Sequence, residues 1–309
     1  MKKIKFFLFA CSLPLFLGAQ GCSDTSDSVV KDDLLSGEKT GNDSFTSELA
    51  DEMPDNEVWN IIFEDDFTGS SETPDPSKWV LCEKGDDSWN RYLSGSYAQA
   101  YQKDGSLFLI AERVDGEYLT GGIETRGKFD FQYGKVECRA RFVRQPHGNH
   151  TGIWMMPAPP TEQWPKSGEI DIMEHLGAED VIYETVHSWY ADDIKPEGQP
   201  TSHLAVTLEN KDDWNTYGII WTPEYIEFTV NGVAHLKYDN LHLSGDDNQW
   251  QWPFDHHFYL ILSQSLGGEG TWAGEIDNDA LPAIFEIDKI TVWQKEGTED
   301  SGVKKIFAD

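Results

Sequence analysis

The stretch SGEIDIMEHLG, residues 167–177, reads first as a β-strand. Ile170 and Ile172 alternate with Glu169 and Asp171, and a period of two puts the isoleucines on one face and the acids on the other. Glu174 breaks the pattern. It lies an odd number of residues from Glu169, so a regular strand would aim it at the opposite face. A one-residue bulge around Ile172–Met173 would re-register the strand and return Glu174 to the side of Glu169 and Asp171. Three like charges would then crowd one face with no basic residue among them, a repulsive arrangement that an ordinary solvated strand has no reason to keep.

Working outward, the chain from Val58 to Trp293 repeats this short-strand character. SLFLIAERV (106–114), YGKVECRARFV (133–143), NTYGIIWT (215–222), HFYLILSQSL (257–266) and FEIDKITVWQ (285–294) are apolar or alternating runs separated by turn residues. VDGEY (114–118) and VNGVA (230–234) carry the Asp-Gly and Asn-Gly pairs of tight hairpins. No long amphipathic helix and no internal repeat is evident. Many short strands with regular turn signals predict an all-β, antiparallel jelly-roll sandwich in one domain spanning 58–295.

The N-terminus reads as a targeting segment over 1–22. Lys2, Lys3 and Lys5 precede an apolar run from Ile4 to Leu17, small residues follow, and AQGC ends at Cys22. The apolar run is too short for a permanent bilayer span. Either a lipoprotein, with Cys22 carrying the lipid, or ordinary secretion follows; the lipoprotein reading is preferred. Outer-membrane or cell-surface localisation is then expected, with contact to a membrane only through the anchor. Residues 23–57 are polar and acidic and read as a flexible tether, and 296–309 as a polar tail.

Composition narrows the function. With 55 acidic against 24 basic residues the formal net charge is −31, which excludes nucleic acid, since little here could neutralise a phosphate backbone. A neutral ligand suits such a chain, and a monomer is expected. The 12 Trp exceed what a core of this size needs; exposed indoles that stack on a ligand, or the Trp-rich character of large sandwiches, account for them equally. Of the four Cys, only Cys82 and Cys138 fall in the folded part. In an exported protein they could pair or remain buried thiols.

Clustered acids serve calcium or catalysis. Calcium loops draw their ligands from a Gly- and Asn-containing loop, not an apolar strand. Glycoside hydrolysis needs two carboxyl groups flanking the scissile bond, and such pairs mark sites of perturbed acidity. The catalytic reading accounts for the position of Glu174.

Here the residues resemble a known family. GEIDIMEH with WP upstream is similar to the bulged E-x-D-x-x-E signature of glycoside hydrolase family 16. FEDDF (63–67), KW (78–79), DGSLFL (104–109), GIWMMP (152–157), TVHS (185–188), WTPEYIEFTVNG (221–232) and IDKITVWQ (287–294) follow in the family's order. The resemblance implies a concanavalin A-like sandwich with an open substrate cleft on its concave face, and catalysis without a cofactor. Glu169 resembles the nucleophile, Glu174 the acid/base and Asp171 the residue that sets the nucleophile's environment. Trp154 and Trp164 resemble an aromatic platform, His187 a cleft histidine and Trp272 a cleft-wall aromatic. Asp288, with backbone near Gly105, resembles the ligand set of a structural calcium; a buried hydrogen-bonded Asp is the other reading.

The chain departs from the family's glucanases where substrate is chosen. TGG (120–122) stands where many read SGR, QSLGG (264–268) where AVGG is common, and SWNRYLSGS (88–96) offers Trp89, Asn90 and Arg91 as substrate contacts. An endo-acting, retaining enzyme on β-1,3- or mixed β-1,3/1,4-glucan is therefore expected first. An endo-β-1,4-galactosidase on keratan-, mucin- or agar-type chains comes second, although sulfated chains suit the acidic surface less well. A non-catalytic carbohydrate-binding protein is the reading of a different class, and the retained acid pair speaks against it.

Overall fold

The computed structural model describes residues 58–298. The targeting segment, Cys22, the tether and residues 299–309 of the tail lie outside the described residues. In chain order the strands are β1 (Trp59–Asp65), β2 (Val80–Leu81), β3 (Ala100–Lys103), β4 (Ser106–Val114), β5 (Glu117–Thr120), β6 (Gly122–Glu124), β7 (Gly134–Arg144) and β8 (Asn149–Pro157). They continue with β9 (Glu169–Leu176), β10 (Val181–His187), β11 (His203–Thr207), β12 (Asn215–Trp221), β13 (Tyr225–Val230), β14 (Val233–Asp239), β15 (Phe258–Leu266) and β16 (Ala283–Lys295). One α-helix, α1 (Asp246–Gln251), and two shorter helical turns are the other regular elements among the described residues.

The strands form two antiparallel sheets. One runs β14-β13-β12-β7-β16-β4-β3, with β1 added on β16 and β5 on β4. The other runs β11-β10-β9-β8-β15-β6-β2 and places the acid-bearing strand β9 near its middle. The predicted hairpins close as their sequences require. Asp115 and Gly116 have φ of 52° and 87°, and Asn231 and Gly232 have φ of 51° and 76°. Two-residue turns with both central residues left-handed match the twist of the flanking strands, and an Asp or Asn followed by Gly tolerates that conformation best.

Alternation sets the core. On β7, Val136, Cys138, Ala140 and Phe142 point inward and join one apolar cluster with Tyr217, Ile219 and Trp221 of β12. Ile170, Ile172 and Met173 of β9, and Phe258, Leu260 and Leu262 of β15, enter the same cluster from the facing sheet. The opposite face of β7 is charged. Arg139 pairs with Asp288 at 2.7 Å and Arg141 with Glu286 at 2.6 Å, and Trp214 stacks against both guanidiniums. Cys82 and Cys138 are free, buried thiols in different clusters, which decides that open question against a disulfide.

Candidate active site

The irregularity in β9 lies where the odd spacing of its acids asks for one. Against β8, Met173 pairs with Ile153 and Asp171 with Trp154, so Ile172 is the extra residue. Against β10, Glu174 pairs with Tyr183 and Asp171 with Thr185, leaving Ile172 and Met173 together opposite Glu184. Ile172 and Met173 are consecutive yet both buried in the inter-sheet core. That double inward step is what a bulge provides. It turns Glu174 outward, and Glu169, Asp171 and Glu174 all line one cavity of about 180 Å³.

Each acid has a different environment. Trp164 Nε1 donates to Glu169 Oε2 at 2.5 Å. Asp171 is buried between the two glutamates. Burial first, and then the charges of Glu169 and Glu174, push its acidity well above the usual carboxylate range. A hydrogen bond between the two side chains raises the pKa of Asp171 further and lowers that of Glu169. Burial lifts Glu169 as well, opposed by the charge of His187 and the hydrogen bond from Trp164. Glu174 Oε1 lies 2.9 Å from His150 Nε2.

His187 stands over this group, with Nε2 3.4 Å from Asp171 Oδ2 and Nδ1 3.1 Å from Asp192 Oδ1. Burial disfavours its charge, but the Asp192 hydrogen bond and the neighbouring Glu169, Asp192 and Glu174 charges outweigh that, and its pKa is raised. Glu169, Asp171 and His187 are also the cluster of three potential metal ligands among the described residues. The hydrogen bonds above account for it without an ion.

Aromatic side chains frame the cavity. Trp164 and Trp272 are the exposed tryptophans of the described residues. Trp164 packs on His187, whereas Trp272 meets His150 and Tyr183. Trp154 is mostly buried, bonds Ser263 through its Nε1 at 3.0 Å, and meets Trp89 edge-on at 4.8 Å. Both Trp89 and Trp154 line the cavity.

Two sequence expectations need correction, and the structure bears on a third that was left open. Asn90 does not face the cleft: its Oδ1 accepts from Asp87 N at 3.0 Å and the side chain is buried inside its own loop. Arg91 does not line the cavity either; its guanidinium lies over Tyr92, and Ser88 and Trp89 are what this loop contributes. Asp288 sits at a bulge of β16 opposite β7, where Arg139 supplies the partner that an acid in an apolar strand needs. A calcium there would compete with that guanidinium, so the donor set fits an ion pair better than a cation site. Gly105 serves the two-residue turn between β3 and β4, with φ of 73°.

His150, Ser265 and Tyr183 were missed. A signal for His150 existed: it shares strand parity, and hence a face, with Trp154.

A model of the family described as Glycosyl hydrolases family 16 matches residues 87–280. The chain belongs to glycoside hydrolase family 16. A keratan-sulfate endo-1,4-beta-galactosidase of Sphingobacterium multivorum is 39% identical over 79% of this chain, which spans 58% of that relative's length. Among solved structures, the laminarinase of Rhodothermus marinus is 30% identical, with a TM-score of 0.69 over 78% of this chain and 99% of that one. A structure from work on endo-acting O-glycanases, which prominent members of the human gut microbiota express to initiate mucin breakdown, is 33% identical. Its TM-score is 0.67 over 75% of this chain and 98% of that one. Family membership agrees with the two-sheet fold and with catalysis that needs no cofactor.

Proposed function

We propose that the protein is an endo-acting, retaining glycoside hydrolase whose catalytic region is the sandwich of residues 58–295. The observation that carries this is the bulge, which gathers Glu169, Asp171 and Glu174 on one wall of a Trp-framed cavity. Glu169, hydrogen-bonded by Trp164 and by the proton of Asp171, attacks the anomeric carbon. Glu174 protonates the departing oxygen and then deprotonates the incoming water, as a double displacement requires. The basic and apolar run before Cys22 supports export and lipid anchoring.

For substrate, we place a β-1,4-linked, galactose-containing chain of keratan or mucin type first. The 39% and 33% identities to a keratan-sulfate galactosidase and to a structure from work on mucin O-glycanases support it. So do the departures from glucanase sequence at 88–96 and 120–122. The similarity to the R. marinus laminarinase supports β-1,3- or β-1,3/1,4-glucan as the second reading. Product analysis on keratan, desulfated keratan, agarose, laminarin and lichenan side by side separates them. Oligosaccharides released only from the glucans refute the galactan reading. Glu169→Gln should abolish hydrolysis while sparing binding, and a variant that still hydrolyses refutes the mechanism.

A further inference from the structure

We infer that His150 is a positioning residue that holds the catalytic proton on Glu174 in the resting enzyme. This rests on Glu174 being the acid/base. The inference comes from counting protons in a chain of three contacts. Ser265 Oγ lies 3.1 Å from the backbone oxygen of His150 and 3.2 Å from its Nδ1, and its single hydrogen can serve one of the two. We assign that hydrogen to the backbone oxygen, which can only accept, so that Oγ accepts from Nδ1. Nδ1 therefore carries a hydrogen, and in the neutral ring Nε2 is left as a bare lone pair. Nε2 lies 2.9 Å from Glu174 Oε1, so the proton of that contact belongs to Glu174. Trp272 packs edge-on against the imidazole with centroids 5.6 Å apart, and the His150 side chain is only 21% exposed, which fixes the ring plane.

The arrangement suits a group that must hold a proton in one half-reaction and lack it in the next. As the bond from Glu169 to the anomeric carbon forms and the glycosidic bond breaks, the proton of Glu174 passes to the leaving oxygen. Glu174 is then a carboxylate facing a lone pair, since Ser265 holds the ring hydrogen on the far nitrogen. That unfavourable contact is relieved when Glu174 takes a proton from the water that attacks the glycosyl ester. Protons balance over the two steps, and His150 neither gains nor loses one. The other titratable groups around Glu174 are Glu169 and Asp171 on its own strand and Tyr183 and His187 on β10. From β15 the neighbours Ser263 and Ser265 are uncharged.

The test is a leaving-group comparison, with thermal melts to verify folding. An aryl glycoside of 2,4-dinitrophenol needs no protonation on departure; the polymer that the side-by-side assay identifies does. His150→Phe should lower kcat/KM on the polymer by roughly 100-fold, within the range for losing general acid assistance, and change kcat/KM on the dinitrophenyl glycoside, which reports the first step alone, by less than about 3-fold. His150→Gln, whose amide oxygen can accept from Glu174, should recover at least about 10-fold over the Phe variant. If the Phe variant does not fold, Ser265→Ala carries the test, because loss of the Nδ1 acceptor should depress the polymer rate alone. Nitrogen NMR of labelled His150 should find Nδ1 protonated and Nε2 bare; an imidazolium pattern overturns the inference. Equal losses on both substrates in His150→Phe, or none on the polymer, also overturn it. Glu174→Gln is the control. If its loss depends on the leaving group while that of His150→Phe does not, only the role of His150 falls. If its loss is independent of the leaving group, the assignment of Glu174 falls too.

Discussion

Glu184 makes the interior of this sandwich pH-sensitive, and Glu184→Gln should reverse the sign of its effect on stability between acid and alkaline solution. The side chain is fully buried behind the bulge, opposite Ile172 and Met173. It reaches across to the other sheet, where Leu236 N donates to its Oε2 at 3.1 Å, while Oε1 has no partner. Burial pushes its pKa from 4.5 to about 7, against the smaller opposing effect of the Leu236 hydrogen bond. Below pH 4.5 the acid is protonated folded or unfolded and costs nothing. Between 4.5 and 7 the unfolded chain has released the proton that the native state keeps, so stability falls by about 1.4 kcal/mol per pH unit. Above 7 both states are ionised and the loss levels off at about 3 kcal/mol. Gln removes this dependence but leaves an amide where Oε1 was unpartnered, at about 1 kcal/mol at every pH. The variant should therefore be about 1 kcal/mol less stable than wild type at pH 4.5 and about 2 kcal/mol more stable at pH 8.5. Urea unfolding across that range measures it, and taking the difference cancels groups remote from Glu184. Parallel stability curves for the two proteins would refute the reasoning.

The buried proton of Asp171 should be replaceable by another neutral donor. Asp171→Asn should hold kcat within about 10-fold of wild type, whereas Asp171→Ala should lose roughly 100-fold, the scale of removing one oriented donor at a reacting charge. Equal damage from both in steady-state kinetics would show that the charge of Asp171 matters more than its proton. Burial also pushes the thiols of Cys82 and Cys138 well up. Mass-spectrometric mapping should find both unmodified by a thiol reagent in the native protein and labelled in denaturant; rapid native labelling would contradict their burial.

Where a residue's position depends on its own strand, the sequence was sufficient. The alternation of β7 and β9 and the Asp-Gly and Asn-Gly hairpins are local, because the pleat has a period of two and the left-handed turn favours few residue types. The odd spacing of Glu174 belongs to this class: core-facing Ile172 and Met173 leave a bulge as the way to gather three acids on one face. Partners across strands were another matter. Nothing local says that His150 meets Glu174 and Ser265 or that Arg139 satisfies Asp288. Those contacts depend on register between strands far apart in the chain. The same holds for Cys82 and Cys138, which any exported sequence could have paired and which the packing of the sheets puts in separate clusters. The sequence by itself therefore determined the class of fold and the three acids that share one face of β9. Only the tertiary structure decided how the surroundings of those acids differ, because burial and cross-strand partners set them, and neither is written along a single strand.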